Sequence, residues 1–134
     1  MLMRNIIQVA IDSPAAAGAG TQSKLISKHY NLLYLDTGKI YRYIAYLKIH
    51  NRKKFNYNFI KEKVKKLKIK NLNNKKLLSN KVASEASIVA QDIKIRKIVY
   101  NFQIKCANNP PKKFRGSILD GRDITSVIMK NAKF

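Results

Sequence analysis

The sequence predicts an α/β fold, a parallel β-sheet flanked by helices, and two features of the chain carry this prediction. Three short apolar runs, at 5–11, 32–35 and 116–119, are typical of buried strands, and stretches with helical spacing of apolar residues lie between them. Strands that alternate with helices are typical of parallel sheets. With 134 residues, 46% of them hydrophobic, the chain is expected to form one domain over 1–134.

The first apolar run leads into a helix through a loop of small residues. Asp12 ends the run, and the helix over 21–30 is expected to pack Leu25, Ile26 and Tyr30 inward, with its lysines outside. A strand, a small-residue loop and a helix in this order open an α/β unit.

The second and third apolar runs are followed by polar residues. The second ends at Asp36 and Thr37 and precedes an amphipathic helix over 40–47, and the third leads into the segment "DGRD". The sequence stops soon after this segment, so the sheet is expected to be truncated at its C-terminal end. An unfinished parallel sheet exposes the backbone groups of an edge strand.

Lysine and asparagine crowd the segment from 51 to 80. We interpret it as a surface insertion that holds a short helix over 59–67 and a hairpin turning at Asn73-Asn74.

Two helices, at 82–90 and 93–107, are predicted after this segment. Asp92 is placed to cap the second helix, because its carboxylate can accept hydrogen bonds from the first backbone N–H groups.

The formal net charge of +21 has two interpretations. A basic surface attracts polyanions such as nucleic acid and nucleotides, but lysine, asparagine and isoleucine are also the residues that A/T-rich codons favour. Arginine is scarce beside lysine, whereas nucleic-acid readers favour arginine for bidentate contacts. Nucleic acid is therefore expected to bind only non-specifically, through charge.

The composition also bears on the membrane and on disulfides. No apolar run approaches the roughly 18 residues that would cross a bilayer, so no membrane association is expected. The single cysteine, Cys106, has no second cysteine with which to form an internal disulfide. A cytoplasmic, monomeric protein is expected.

The loop "DSPAAAGAGTQSK" has features of a phosphate-binding loop. A strand that turns tightly into a helix exposes backbone N–H groups at the positive end of the helix dipole, and small residues let phosphate oxygens approach them. Thr21, which opens the helix, can place its hydroxyl on Mg²⁺. A phosphate-binding lysine is absent, so a plain structural turn is the alternative interpretation.

Two further segments place polar side chains at the carboxyl ends of strands, where open α/β sheets bind ligands. In "LDTGKIYR", Arg42 can donate two parallel hydrogen bonds to a phosphate; alternatively, Thr37 only caps the helix and Arg42 is an ordinary surface charge. In "ILDGRDITSV", Asp120 can orient hydrated magnesium, Arg122 can hold an anion, and Asp123 can accept hydrogen bonds from an amino group. A plain charged turn is the alternative there.

In this order, and with "ASIVA" between them, these segments resemble the bacterial cytidylate kinases, which are nucleoside monophosphate kinases of the P-loop class. The resemblance covers nearly the whole chain and is strongest at 6–47 and 82–128. It implies a P-loop NTPase fold and an enzyme that transfers the γ-phosphoryl group of ATP to CMP or dCMP with Mg²⁺. Residues 1–134 would then be a single, incomplete domain of this kind.

The resemblance also implies a role for each matching position. The ATP phosphates would be bound by Ser13, Pro14, Ala15, Ala16, Ala17, Gly18, Ala19, Gly20 and Thr21, with Thr21 also on magnesium. CMP would be bound by Thr37, Tyr41, Arg42, Ser87, Arg96, Arg122 and Asp123. Asp120 and Arg122 would be catalytic. Ser87 and Arg96 lie about half a turn out of phase on a straight helix, so they can serve one pocket only if the helix breaks near Asp92.

Two positions depart from the family's pattern. Ala19 stands where the family has its phosphate-loop lysine, and Ser13 stands where it has glycine. The family's arginine-bearing lid is expected to have no counterpart here. Phosphoryl transfer depends on positioning and charge neutralisation, so the activity is expected to be impaired. A catalytically dead pyrimidine-nucleotide-binding protein and a basic nucleic-acid-associated protein are the alternatives.

Overall fold

The computed structural model describes residues 4–13 and 19–134, with only the backbone of Ala19. The described residues form two compact units. The first consists of the described parts of Met1–Thr37 and Gln103–Phe134, and the second is Gly38–Phe102. The first unit contains the sheet, and the second is helical. Within the described ranges, none of the helices is both long and apolar enough to cross a membrane.

The sheet of the first unit has three described strands, all parallel: β1 (Ile7–Asp12), β2 (Leu32–Asp36) and β3 (Gly116–Gly121). β3 lies in the centre, between β1 and β2, and the first residues of all three strands are aligned. Its first five residues are buried, as expected for a central strand of a parallel sheet. The predicted α/β fold with a parallel sheet is confirmed.

Helix α1 (Ala19–Tyr30) buries serines where apolar residues were predicted. Ser23 and Ser27, four residues apart on one face, are buried, whereas Leu25 and Tyr30 are 64% and 48% exposed. Residues at this spacing share a helix face, and α1 contacts both β2 and β3. Small side chains let the helix lie close to the sheet. The prediction that Leu25 and Tyr30 face inward was therefore wrong.

The second unit is built from helices that carry buried apolar residues. They are α2 (Gly38–His50), α3 (Tyr57–Lys65), α4 (Asn80–Val89) and the first part of α5 (Ile93–Asn108). α2 packs against α4, and Ile40 and Ile44 on α2 are fully buried. Lys48 on α2 also forms an ion pair of 2.6 Å with Glu85 on α4.

Two short 3₁₀ turns, Ile69–Asn73 and Lys75–Leu78, take the place of the predicted hairpin. The Asn71 side chain accepts a hydrogen bond from the backbone N–H of Lys68 at 3.2 Å, and the Asn74 side chain accepts one from the N–H of Lys76 at 2.9 Å. Asparagine side chains that bond nearby backbone groups favour turns over strand pairing.

The helix break predicted near Asp92 is confirmed. α4 ends at Val89, and the Asp92 carboxylate accepts hydrogen bonds from the backbone N–H groups of Lys94 at 2.9 Å and Ile95 at 3.3 Å, which is an N-cap. The hydroxyl of Tyr57 donates to the other carboxylate oxygen at 2.8 Å. The hydrogen bond from Tyr57 is the main cause that lowers the pKa of Asp92, and the two backbone hydrogen bonds lower it further.

Candidate functional site

Each of the three described strands carries an aspartate at its carboxyl end. Because the strands are parallel and in register, Asp12, Asp36 and Asp120 lie at one edge of the sheet. Open α/β sheets bind ligands at this edge. Within the described part of the chain, no three histidine, cysteine or acidic side chains are grouped to hold a metal ion.

Asp120 is held by a tyrosine on the neighbouring strand. Asp120 is only 6% exposed, and its carboxylate accepts a hydrogen bond of 2.7 Å from the Tyr34 hydroxyl in β2. Burial raises the pKa of Tyr34 far above its ordinary value, and the hydrogen bond to Asp120 and the negative charges of Asp120 and Asp36 raise it further. The phenol therefore remains a donor to the carboxylate well above neutral pH.

The same hydroxyl lies beside the start of α1. A Cβ atom on Gly20 would lie 3.7 Å from the Tyr34 hydroxyl oxygen, so the first turn of α1 and Asp120 flank it. Thr21, the next residue, is exposed in that turn. A hydroxyl and a carboxylate are oxygen donors that fit Mg²⁺, which usually binds one or two protein groups together with substrate phosphates and water.

Thr37 and Gly121 approach each other closely at the same edge. The Thr37 N–H donates to the carbonyl oxygen of Asp120 at 3.1 Å, and Thr37 is buried. Gly121 has φ +154°, and a Cβ atom there would lie 1.9 Å from Thr37 Oγ1. Only glycine fits at 121, and its backbone brings the "LDTG" and "LDGRD" segments into contact.

The chain turns sharply after β3. Asp123 has the left-handed backbone conformation, with φ 59° and ψ 20°, and a π-helical turn, Ile124–Ile128, follows. The Asp12 carboxylate accepts hydrogen bonds from the backbone N–H groups of Ile124 at 2.7 Å and Thr125 at 3.3 Å, and from the Thr125 hydroxyl. Arg122, at the apex, is exposed.

The predicted phosphate loop is described only in part. Pro14, Ala15, Ala16, Ala17 and Gly18 lie outside the described residues, as does the side chain of Ala19. At the start of the loop, the Ser13 N–H donates to the carbonyl oxygen of Gly121 at 3.1 Å. Among the described non-glycine residues, positive φ occurs at Asn31 and Asp123 and not at Ser13.

The remaining predicted site residues, Tyr41, Arg42, Ser87 and Arg96, lie in the second unit. Arg42 Nη1 donates to the carbonyl oxygen of Leu77 at 3.0 Å, and Arg96 Nη2 donates to the Tyr100 hydroxyl at 2.7 Å.

Ser87 is exposed on α4, and its hydroxyl donates to the carbonyl oxygen of Ala83 at 3.3 Å. The structure thus brings Thr37 and Asp120 together within the first unit, where Arg122 and Asp123 follow on the same turn. Convergence of these residues with the four of the second unit on one pocket stays a prediction.

Sequence reasoning missed three residues at this edge: Asp12, Tyr34 and Gly121. Each acts through a partner more than 80 residues away. A strand-end aspartate before a small-residue loop was visible in the sequence, but no pattern indicated its partner.

A parallel sheet whose first strand and first helix are joined by a loop of small residues, with acidic groups at its carboxyl edge, is consistent with the P-loop class of α/β proteins. Within this class, the chain belongs to the cytidylate kinase family: the family model described as cytidylate kinase matches residues 9–134.

Individual cytidylate kinases show the same relationship. The chain is 38% identical over 133 residues to the cytidylate kinase of Bradyrhizobium sp. (strain ORS 278), covering 93% of this chain and 58% of the relative. It is 38% identical over 144 residues to the cytidylate kinase of Fusobacterium nucleatum, covering 98% of this chain and 62% of the relative. It is 37% identical over 139 residues to the cytidylate kinase of Mycoplasmoides gallisepticum, covering 96% of this chain and 58% of the relative. The chain thus spans about three fifths of the length of these relatives.

Proposed function

We propose that this chain forms the nucleotide-binding part of a (d)CMP kinase, which transfers the γ-phosphoryl group of ATP to CMP or dCMP. The observation that carries the proposal is the contact between Thr37 and Gly121, which joins the two most specific sequence segments at the carboxyl edge of the sheet. The relatives are named cytidylate kinases, which supports the substrate class.

The phosphate donor would bind between β1 and α1. Residues 13–21 would surround the ATP phosphates with backbone N–H groups at the N-terminal end of α1. Thr21 would ligate magnesium directly and Asp120 through water, with Tyr34 holding the Asp120 carboxylate in place. When bound, the ion would neutralise charge on the phosphates.

The acceptor nucleotide would be held by its phosphate and by its base. Arg42 and Arg96 would donate parallel hydrogen bonds to the phosphate, with Thr37 and Tyr41 lining that end of the pocket. The cytosine edge would be read by Ser87, Arg122 and Asp123. The Asp123 carboxylate can accept a hydrogen bond from the amino group of cytosine, which uracil lacks.

Phosphoryl transfer by this chain would be slow, because position 19 carries no ammonium group. Removing one preorganised donor to developing charge commonly costs on the order of 10²–10³ in rate. Ala19 and Ser13 together would leave nucleotide binding in place with little turnover.

We also expect 1–134 to act as one monomeric, cytoplasmic nucleoside monophosphate kinase domain in which 51–80 is an insertion. Sedimentation of the purified chain tests the monomeric state, and one cooperative urea transition followed by two probes would support a single domain.

Calorimetry with CMP and AMP tests the binding step. We expect CMP to bind more tightly than AMP, Arg122→Ala to remove this preference, and Ser126→Ala, an exposed control in the π-helical turn, to retain it. Equal heats for CMP and AMP, or no heat for either, would contradict a specific pocket.

A coupled assay for ADP release tests the transfer step. We expect little turnover in the natural chain and a rise of about 10²-fold or more in a variant with Ala19→Lys and Ser13→Gly. Ordinary kinase rates in the natural chain would contradict the role given to position 19. Specific CMP binding with no turnover in either form would favour a protein that binds the nucleotide without transfer.

A second candidate function, association with single-stranded nucleic acid, is favoured by a segment of the second unit that is rich in exposed lysines. We define the basic strip as the lysines and arginines of 52–76, all of them exposed: Arg52, Lys53, Lys54, Lys61, Lys63, Lys65, Lys66, Lys68, Lys70, Lys75 and Lys76. Glu62 is the one acidic residue in that segment.

A cavity of about 240 Å³ adjoins the strip and is lined by Tyr43, Tyr46, Asn71, Asn74, Lys76 and Leu77. Bases of unpaired strands stack on aromatic rings, and lysines hold the phosphates. We expect binding of a labelled single-stranded oligonucleotide to weaken steeply with salt, and we expect Tyr46→Ala to weaken this binding more than Tyr30→Ala does. Equal effects of the two variants would leave charge alone as the cause.

A further inference from the structure

Asp12 joins the start of the phosphate loop to the turn after β3. Its carboxylate accepts hydrogen bonds from the backbone N–H groups of Ile124 and Thr125 and from the Thr125 hydroxyl. The next residue, Ser13, donates its N–H to the carbonyl oxygen of Gly121 at 3.1 Å. Two consecutive residues of β1 and the loop are therefore bonded to residues on both sides of Arg122 and Asp123.

The turn that these bonds hold has an unfavourable backbone. Asp123 lies in the left-handed region, which non-glycine residues adopt at a cost and which persists where surrounding contacts impose it. On one side of Asp123, Gly121 is fixed by its contact with Thr37. On the other side, the N–H groups of Ile124 and Thr125 bond to Asp12. Without Asp12, these two groups would lose a charged acceptor, and the conformation at Asp123 would lose its support.

We propose that Asp12 is a positioning residue that sets base recognition without touching the nucleotide. It holds the turn 121–125 so that Arg122 and Asp123 project together toward the base. This inference rests on the proposed function, in which those two side chains read the cytosine edge. Asp12 would thereby control how strongly the site prefers cytosine over other bases, whereas contacts to the acceptor phosphate come from other residues.

A local cap of the π-helical turn is the competing role for Asp12. A cap lost to mutation would lower stability and would change the affinity for every ligand of the pocket alike. Loss of a positioning residue would change only the part of the affinity that the base contributes. Comparing CMP with ribose 5-phosphate, which has the phosphate but no base, separates the two roles.

The test uses the whole chain and two disrupting variants, Asp12→Asn and Thr125→Val, with Thr125→Ser as the conservative variant that keeps the hydroxyl. Ser126→Ala is the matched control, since Ser126 is exposed in the same turn. Calorimetry gives the affinities for CMP and ribose 5-phosphate, and amide hydrogen exchange at Ile124 and Thr125 reports whether the turn is held.

We expect Asp12→Asn to weaken CMP binding about tenfold or more, which is the size of effect that loss of a hydrogen bond to a charged group produces. Affinity for ribose 5-phosphate should stay within about twofold. Exchange at Ile124 and Thr125 should accelerate. Thr125→Val should weaken CMP binding and accelerate exchange by smaller factors, again with little change in the affinity for ribose 5-phosphate. Thr125→Ser and Ser126→Ala should match the natural chain.

Two failures are distinguishable. If the natural chain binds CMP no better than ribose 5-phosphate, the proposed function fails, and with it the base-reading role of Asp12. If the natural chain prefers CMP and Asp12→Asn keeps that preference, only the present inference is overturned. Unchanged exchange at Ile124 and Thr125 in Asp12→Asn overturns it as well, whatever the ligand affinities.

Discussion

Replacing Tyr34 by phenylalanine removes one hydroxyl group and keeps the ring. This hydroxyl donates a hydrogen bond of 2.7 Å to the buried carboxylate of Asp120. Hydrogen bonds to charged groups contribute about 1.5–3 kcal/mol to stability. We therefore expect Tyr34→Phe to lower the free energy of unfolding at pH 7 by about 1.5–3 kcal/mol.

The stability difference between the natural chain and Tyr34→Phe should also depend on pH. The pKa of Tyr34 in the folded chain is raised above its unfolded value near 10. The stabilisation is thus fully present below pH 10 and is lost as the pH rises toward the folded pKa, because the unfolded chain releases the proton first. The upper limit of the loss is about 1.4 kcal/mol per pH unit, and solvent screening at this partly exposed site reduces it.

Urea unfolding followed by circular dichroism at pH 7, 9 and 11 measures both effects. Tyr30→Phe is the matched control, because Tyr30 is 48% exposed; its stability should stay within about 0.5 kcal/mol of the natural chain. The other tyrosines and the lysines titrate in every variant, so the difference between variants isolates Tyr34.

Two results would refute this reasoning. One is a Tyr34→Phe variant as stable as the natural chain at pH 7. The other is a stability difference that does not shrink between pH 9 and pH 11.

Three further substitutions test the packing around the site and in the second unit. Gly121→Ala should lower the free energy of unfolding by about 3 kcal/mol or more, because its Cβ would overlap Thr37 Oγ1. Adding Thr37→Ala should restore part of this loss. If urea unfolding shows that the effects of the two substitutions simply add, the contact between the two residues is contradicted. Ile44→Ala should cost about 2–5 kcal/mol, since Ile44 is fully buried, and a midpoint close to that of the natural chain would argue against this core. Ser79→Ala should cost about 1 kcal/mol by removing the 3.2 Å cap on the Val82 N–H; faster amide exchange at Val82 checks it, with exposed Ser84→Ala as control.

The strands and the helix break were predictable because their causes are local. Continuous apolar runs are what a parallel sheet requires of its strands, and an aspartate before a helix can cap it without any distant partner. The buried face of α1 was not predictable in the same way. Periodicity shows which residues share a face, but Ser23 and Ser27 are buried because the helix lies close to the sheet, and that approach depends on β2 and β3.

In the candidate site, too, the residues with local causes were predictable and those that depend on distant partners were not. Thr37, Asp120, Arg122 and Asp123 could be singled out because polar residues at strand ends meet at one edge of a parallel sheet. The residues that hold them could not. Tyr34 lies within an apolar strand, where a tyrosine usually packs through its ring, and its hydroxyl has a function only because Asp120 is on the adjacent strand.

The central position of β3 bears on how the chain acquires its structure during synthesis. Among the described strands, β1 and β2 pair with β3 and not with each other, so neither has a sheet partner until translation has passed Gly116. Contacts between segments so far apart in sequence form slowly, and unpaired apolar strands are prone to aggregate in the meantime. A nascent chain that stalls before the third strand would therefore need chaperones to shield the first two.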